Sequence, residues 1–113
     1  ARELPDSNPV RKVALEFTDR YEAQHGPNTM TQFVGDAMGA WMLLDNAVAR
    51  ALKTGAKPST IEFRQALREA LENTQNLIVP NGVLNVTPQD HQGFDQRARV
   101  MATIKNGKFS YAQ

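Results

Sequence analysis

Asp90-His91 is the only place where an acidic residue stands beside a histidine, the pairing that metal binding or acid–base catalysis would use. Adjacent side chains on an extended chain point apart, and a metal site needs several convergent ligands. The other histidine, His25, lies at the end of a predicted helix, and no H-x-x-x-H, H-E-x-x-H or G-x-S-x-G spacing occurs. Cysteine is absent, which excludes thiolate zinc sites and cysteine nucleophiles. We therefore expect Asp90 and His91 to be loop residues, and we expect no enzyme activity, metal or cofactor.

Phe33 and Asp36 are the candidate ligand-binding residues. They stand one turn apart at the start of a predicted helix, where backbone N–H groups are free. An aromatic ring and a carboxylate in this arrangement can contact the ring or the ammonium group of a polar ligand. The spacing alone also fits, and favours, a core Phe beside an Asp that stabilises the helix dipole.

The balance of charges argues against a dedicated nucleic-acid-binding domain. Thirteen Lys and Arg residues oppose twelve Asp and Glu residues, which leaves a formal net charge of +1. The last part of the chain has a basic character from Arg97, Arg99, Lys105 and Lys108. Its two aromatic residues, Phe109 and Tyr111, are predicted to share a face only with each other. We expect no nucleic-acid partner and a hairpin with alternating charges on its solvent side.

The size and composition are those of one globular domain, with 113 residues, 12.6 kDa, 41% hydrophobic and 22% charged residues. The longest mainly apolar stretch, 37–48, is interrupted by Asp45 and Asn46 and is shorter than the ~20 residues that cross a bilayer. The chain opens at Ala1 without an initiator Met, a signal segment or an obvious first element. We therefore expect it to be a fragment of a longer protein.

Helical periodicity predicts three helices, at about residues 9–25, 31–54 and 60–73. The first is predicted to be capped by Asn8 and to stop at Gly26. The third is predicted to begin with a capping box, in which the Ser59 hydroxyl and the Glu62 carboxylate satisfy two backbone donors.

The second predicted helix is apolar over more than one face, which is typical of a central helix packed on several sides. Gly35 and Gly39 lower its helix propensity by ~1 kcal/mol each relative to Ala, which indicates that another segment packs closely there. Trp41, with Met38 and Met42 at helical spacing, is predicted to lie in the core.

Short antiparallel strands are predicted after the helices, at about residues 83–86, 97–105 and 108–111. Region 73–82 carries turn residues. Asn106-Gly107 between alternating segments is a strong hairpin signal. An isolated hairpin is only marginally stable in water, so these strands need another element to cover them.

Five blocks of the sequence resemble a known family. The run 32–52 (QFVGDAMGAWMLLDNAVARAL) is similar to a helix of the type I periplasmic solute-binding proteins of ABC importers, the leucine/isoleucine/valine-binding, extracellular ligand-binding receptor group. The further blocks, in the family's order, are 59–72 (STIEFRQALREALE), 82–93 (GVLNVTPQDHQG), 95–100 (DQRARV) and 106–109 (NGKF). The similarity extends over nearly the whole chain and matches the carboxy-terminal part of such a protein.

The resemblance implies an α/β fold of two lobes joined by hinge strands, of which this fragment is a mainly α part. Residues 1–113 would form one carboxy-terminal fragment, with 1–80 in the helical part of the first lobe and 81–113 in the hinge and second-lobe strands. Phe33 stands where family members place an aromatic residue that faces the cleft, and Asp36 lies one turn on.

The resemblance also implies a function without catalysis, as the periplasmic solute-binding component of an ABC uptake system. Its partners would be an amino acid or a small carboxylated or aromatic compound, and an ABC permease in the membrane. Because most of the pocket lies outside the fragment, we expect the chain alone to bind ligand weakly or not at all and to self-associate. The alternative is a free-standing helical protein-interaction module that associates through the apolar faces of the second helix.

Overall fold

Three helices are followed by two β-hairpins in the computed structural model, which describes residues 1–112. The helices are α1 (Arg11–His25), α2 (Gln32–Leu52) and α3 (Ile61–Glu72). The strands are β1 (Leu77–Val79), β2 (Gly82–Leu84), β3 (Ala102–Lys105) and β4 (Lys108–Tyr111), and a short 3-10 helix spans Gln96–Ala98. This order confirms the predicted sequence of three helices and then short antiparallel strands.

α1 ends where its sequence predicts and begins two residues later. The predicted cap by Asn8 is wrong for the helix itself, whose N-cap is Val10 without a side-chain hydrogen bond; the Asn8 side-chain oxygen instead accepts a hydrogen bond from the Val10 N–H at 2.9 Å, in the turn before the helix. At the other end, Gly26 adopts a φ of +97°, and its N–H donates to the Glu22 carbonyl at 2.9 Å. Glycine adopts this conformation without the steric cost that a Cβ would impose.

The buried face of α2 is made of small residues. Gly35, Gly39, Ala47 and Ala51 are buried, and the helix packs on α3 and β1. The prediction that Trp41 lies in the core is wrong within the described chain, because its side chain is 62% exposed. Within residues 1–112 the buried positions of α2 are all Gly or Ala, and its tryptophan lies outside the core.

The N-cap of α3 lies one residue after Ser59, the residue that the predicted capping box places there. The N-cap is Thr60, whose hydroxyl accepts a hydrogen bond from the Phe63 N–H at 3.2 Å. Ser59 instead has a φ of +71° and belongs to the preceding turn. The predicted capping role of Ser59 is wrong because the Thr60 N–H and hydroxyl both donate to the Lys57 carbonyl, which closes that turn before the helix starts.

Arg50, in the last turn of α2, binds the end of α3. Its Nη2 donates to the Ala70 carbonyl and, at 2.6 Å, to the hydroxyl of Thr74. Its Nη1 donates to the Asn73 carbonyl at 3.2 Å, and its Nε donates to the Asn46 side chain at 3.0 Å. A cation at this position satisfies carbonyls that have no intrahelical partner and complements the negative end of the helix dipole.

β1 and β2 form the hairpin that closes the core. Their antiparallel register pairs Leu77 with Leu84, Ile78 with Val83, and Val79 with Gly82. Val79 and Val83 are fully buried, and Val83 packs with Val10 and Ala14 of the α1 end. β1 contradicts the prediction of turns throughout 73–82, since three residues between turn formers are too few for a recognisable strand period. β2 covers Gly82–Leu84, whereas the predicted strand was 83–86.

The predicted strand 97–105 is shorter than expected. Its first residues form the 3-10 helix, because the Asp95 carboxylate accepts a hydrogen bond from the Arg97 N–H at 2.8 Å and caps a helical turn. The strand β3 begins only at Ala102. The alternating apolar residues predict a longer strand because their periodicity carries no information about the hydrogen bond that Asp95 accepts.

β3 and β4 form the second hairpin, as Asn106-Gly107 predicts. Lys105 pairs with Lys108, and the two turn residues have φ values of +51° and +73°. Positive φ at both central positions is the signature of the turn type that matches strand twist.

The chain is elongated, with principal extents of 55 × 32 × 21 Å and a radius of gyration of 16.6 Å. A compact domain of this length would have a radius of gyration of about 13 Å. None of the helices among the described residues has the length and apolar character needed to cross a membrane.

Replacing Arg50 tests the junction between α2 and α3. We expect Arg50→Ala to lower the free energy of unfolding by about 2–3 kcal/mol, because hydrogen bonds from a charged donor are lost at partly buried acceptors. Arg64→Ala, at an exposed position of α3, serves as the control and should change stability by less than about 0.5 kcal/mol. Urea unfolding measures both, and equal midpoints for the two variants would contradict this role of Arg50.

Candidate functional site

The predicted ligand-binding residues lie in the first turns of α2. The helix is capped by Thr31, whose hydroxyl accepts a hydrogen bond from the Val34 N–H at 3.3 Å. Phe33 is 83% exposed, and Asp36, one turn further, is half-buried. Residues three apart are neighbours on a helix surface, so both side chains belong to one surface region. The core position that the spacing favours for Phe33 is wrong within residues 1–112.

Asn81 connects this region to the turn between β1 and β2. Its side-chain amide donates to the Gln32 carbonyl at 2.9 Å and to Asp36 Oδ1 at 2.5 Å. The two partners lie more than forty residues away along the chain. No sequence pattern marks Asn81 as a site residue, although the Pro80-Asn81-Gly82 turn signal indicates where the chain reverses.

Gly35 is buried beneath the Asn81 side chain. A Cβ at Gly35 would lie 2.3 Å from Asn81 Oδ1, a distance that no side chain tolerates. At Gly39 a Cβ would meet the Val79 side chain at 3.4 Å, which is ordinary van der Waals contact. Both glycines thus lie beneath a close neighbour, as the sequence predicts, and the neighbours are side chains of the first hairpin.

Asn81 restricts one oxygen of the Asp36 carboxylate and leaves the other without a partner among residues 1–112. It engages Oδ1 of the carboxylate, while no hydrogen bond within residues 1–112 engages Oδ2. A carboxylate with one oxygen fixed and the other available can accept a hydrogen bond from a ligand ammonium group. The exposed ring of Phe33, one turn away, offers a face to an apolar, aromatic or cationic part of the same ligand.

Asp90 and His91 lie in the loop after β2, as predicted. The Asp90 carboxylate accepts a hydrogen bond from the Gln92 N–H at 2.9 Å, and His91 Nε2 lies 3.2 Å from Glu72 Oε1. The pKa of Glu72 is lowered from its ordinary value, chiefly by the hydrogen bond from Arg68 and to a smaller extent by His91. Across residues 1–112, no cluster of three or more His, Cys, Asp or Glu side chains could hold a metal ion.

Arg97 is held by an acidic partner. Its Nη2 lies 2.6 Å from Asp95 Oδ2 and also donates to the Asn76 side chain at 3.0 Å. The side-chain hydrogen bond from Arg97 lowers the pKa of Asp95, and the same contact raises the pKa of Arg97. These contacts join the 3-10 helix before β3 to Asn76, just before β1.

Aromatic and basic residues of the second hairpin lie on opposite faces. One face carries Ala102 opposite Tyr111 and Ile104 opposite Phe109, and the other carries Thr103 opposite Ser110 and Lys105 opposite Lys108. Phe109 and Tyr111 therefore share their face with two aliphatic residues as well as with each other, which corrects the prediction. Rings and cations do not alternate on one surface, as they do on single-strand nucleic-acid platforms.

Solved structures resemble the chain closely. It is 38% identical to an extracellular ligand-binding receptor from Rhodopseudomonas palustris HaA2, with a TM-score of 0.88 over 99% of this chain and 31% of that one. A second such receptor from Rhodopseudomonas palustris is 37% identical, with a TM-score of 0.87 and the same coverage. A third, again from strain HaA2, is 37% identical with a TM-score of 0.80, over 98% of this chain and 30% of that one.

The chain spans about a third of the length of these receptors. No protein-family model matches it, and no curated protein matches it.

Alanine substitutions at Gly35 and Gly39 distinguish the stability effect of the Asn81 contact from the effect of helix propensity. Gly35→Ala should displace the Asn81 side chain and destabilise the chain by about 1–2 kcal/mol, since two hydrogen bonds are lost or weakened. Gly39→Ala should be neutral or stabilising by up to about 1 kcal/mol, because the new methyl group meets only ordinary contact and Ala favours the helix. Thermal or urea unfolding of both variants gives the comparison, and equal effects would mean that Asn81 does not depend on the space above Gly35.

Proposed function

This chain belongs in sequence and fold to the extracellular ligand-binding receptors of the type I periplasmic binding protein family, and we propose that it serves in capturing an amino acid or small aromatic carboxylate for an ABC importer. The observation that carries the proposal is the match of 99% of the chain to a solved receptor at 38% identity. The receptor acts outside the cytoplasmic membrane in the periplasm and hands its ligand to a membrane permease. It catalyses no reaction.

Within such a receptor, the chain supplies the carboxy-terminal segment. Residues 1–80 belong to the helical part of the first lobe, and residues 81–113 belong to the hinge and the strands that enter the second lobe. The accessible surface supports a segment that packs against more protein. It measures 8214 Å², against about 6200 Å² for a compact monomer of this mass.

Phe33 and Asp36 contribute one wall of the ligand site. The ring of Phe33 contacts the apolar or aromatic part of the ligand, and Asp36 accepts a hydrogen bond from an ammonium group. Support comes from the exposure of the Phe33 ring and from the fixed orientation that Asn81 gives to the Asp36 carboxylate. The two ligand classes differ here, because an aromatic carboxylate carries no ammonium group and its negative charge is repelled by Asp36.

Ligand binding by the intact receptor that contains this chain tests the proposal. Screening amino acids and small aromatic carboxylates by thermal shift should identify a ligand, since binding at a hundredfold excess over Kd stabilises by about 2.7 kcal/mol. Phe33→Ala should then weaken that ligand about tenfold or more, while Arg64→Ala leaves affinity unchanged.

Asp36→Asn distinguishes the two ligand classes. For an amino acid the substitution should weaken binding about tenfold or more, and for an aromatic carboxylate it should leave binding unchanged or strengthen it. If the Phe33→Ala and Asp36→Asn variants both bound the ligand as tightly as the unmodified receptor does, that result would contradict the assignment of this site.

The isolated chain is expected to behave differently from the receptor. With Phe33 on an open surface, calorimetry of residues 1–113 with leucine or benzoate should give no micromolar binding, because a cleft needs both walls. Large apolar residues such as Phe109 at 81% exposed and Ile104 at 69% should drive self-association, which sedimentation at several concentrations measures. Tight ligand binding by a monomeric chain would contradict both expectations.

A free-standing interaction module is the second candidate. The exposed Trp41 on α2 favours it, because large aromatic residues are enriched in protein interfaces. The coding sequence upstream of Ala1 separates the two: a signal peptide and several βα units identify a receptor, and an immediate start codon identifies the module.

A further inference from the structure

The chain contains two Asn-Gly dipeptides, Asn81-Gly82 and Asn106-Gly107, in different surroundings. Asn-Gly is the dipeptide most prone to spontaneous deamidation, because glycine has no Cβ to hinder the approach of its nitrogen and has the freest backbone. We propose that Asn106 is a site of self-modification by deamidation in the folded chain and that the fold protects Asn81.

Asn106 and Gly107 form the exposed tip of the second hairpin. Lys105 and Lys108 close the turn as a strand pair, so the turn hydrogen bond is donated by the Lys108 N–H, and the Gly107 N–H takes no part in it. Nothing lies within 4 Å of the position of a Cβ on Gly107. The Asn106 side chain makes no hydrogen bond within residues 1–112. Neither reacting group, the Asn106 side-chain amide or the Gly107 nitrogen, is held by another contact among residues 1–112.

In Asn81-Gly82, by contrast, both the asparagine side chain and the glycine N–H are held by hydrogen bonds. The Asn81 amide nitrogen donates to the Gln32 carbonyl and to Asp36, which holds the side chain over α2. Gly82 pairs with Val79 at the closing position of its hairpin, so its N–H is the turn donor. Gly82 is also buried, and a Cβ there would lie 2.6 Å from the Ala98 side chain. Neither reacting group can move toward the other without breaking these contacts.

The reaction needs only water. The Gly107 nitrogen loses its proton to solvent base and attacks Asn106 Cγ; Nδ2 takes up a proton from solvent, the Cγ–Nδ2 bond breaks, and ammonia leaves. The resulting five-membered succinimide is then opened by water at either carbonyl, which gives aspartate or isoaspartate at position 106. No oxidation or reduction takes place.

The product changes the charge and geometry of the hairpin tip. A carboxylate appears between Lys105 and Lys108, and the formal net charge of the chain falls from +1 to zero. Isoaspartate also inserts one methylene group into the main chain. The two-residue turn that keeps Lys105 opposite Lys108 cannot absorb this insertion without a change of register.

Peptide mapping by mass spectrometry of the 113-residue chain, aged at mildly alkaline pH, tests the proposal. In the folded chain, conversion at Asn106 should be at least about tenfold faster than at Asn81, because reaction at Asn81 requires two hydrogen bonds to open first. Isoelectric focusing should show the matching gain of one negative charge, and Asn106→Gln should abolish that shifted band.

Concentrated urea provides the control for local sequence. With the fold removed, the two dipeptides should react at rates within a few-fold of each other. Equal rates in the folded chain, or faster conversion of Asn81, would overturn the proposal. A large preference for Asn106 that persists in urea would also overturn it, since the fold would then not be the cause.

Discussion

The guanidinium group of Arg50 joins three parts of the chain that are separated in sequence. It extends from the last turn of α2 to the carbonyls at the end of α3 and to Thr74, which is 2% exposed. The Thr74 carbonyl in turn accepts a hydrogen bond from the Val86 N–H at 2.8 Å, just after β2. One charged side chain and one buried hydroxyl thus fix where α3 ends, where the first hairpin begins and how both lie against α2. The buried positions available there are small, so polar contacts set this geometry more than side-chain volume does.

The placement of the first hairpin determines the candidate site. Once β1 lies over Gly39, its Val79 side chain fills the space that the glycine leaves, and the following turn brings Asn81 over Gly35. Asn81 then fixes Asp36 through a hydrogen bond that spans 45 residues of sequence. A glycine that lowers helix propensity is stabilising overall here, because it admits the side chain that orients the carboxylate. The site geometry is therefore a consequence of the packing between α2 and the hairpin.

Sequence patterns predict the elements that depend on local chemistry. The Gly26 stop, the Asn106-Gly107 turn and the positions of all three helices follow from residue types within a few positions of each boundary. The errors have long-range or competing local causes. β1 is three residues long and exists because β2 pairs with it, and Asp95 ends the expected strand by capping a helical turn. Phe33 and Asp36 are candidates from the family resemblance, whereas Asn81 is not a candidate from sequence, because only the tertiary fold brings it to Asp36.

The distribution of apolar side chains explains why local helical patterns overestimate the core. The largest fully buried side chains are Val79, Val83 and Thr74, and no aromatic residue is among them. Phe33, Trp41 and Phe109 are instead more than half exposed, on α2 and on the second hairpin. Burying one large side chain stabilises a protein by about 1.5–3 kcal/mol relative to leaving it exposed. Much of the hydrophobic stabilisation that this sequence could provide is therefore not realised while these residues stay exposed. A sequence that places small residues and polar contacts inside and aromatic residues outside gains that energy only when further protein or ligand covers the outer faces. This arrangement accounts for the elongated shape and for the ring of Phe33 standing free beside a carboxylate that is already oriented.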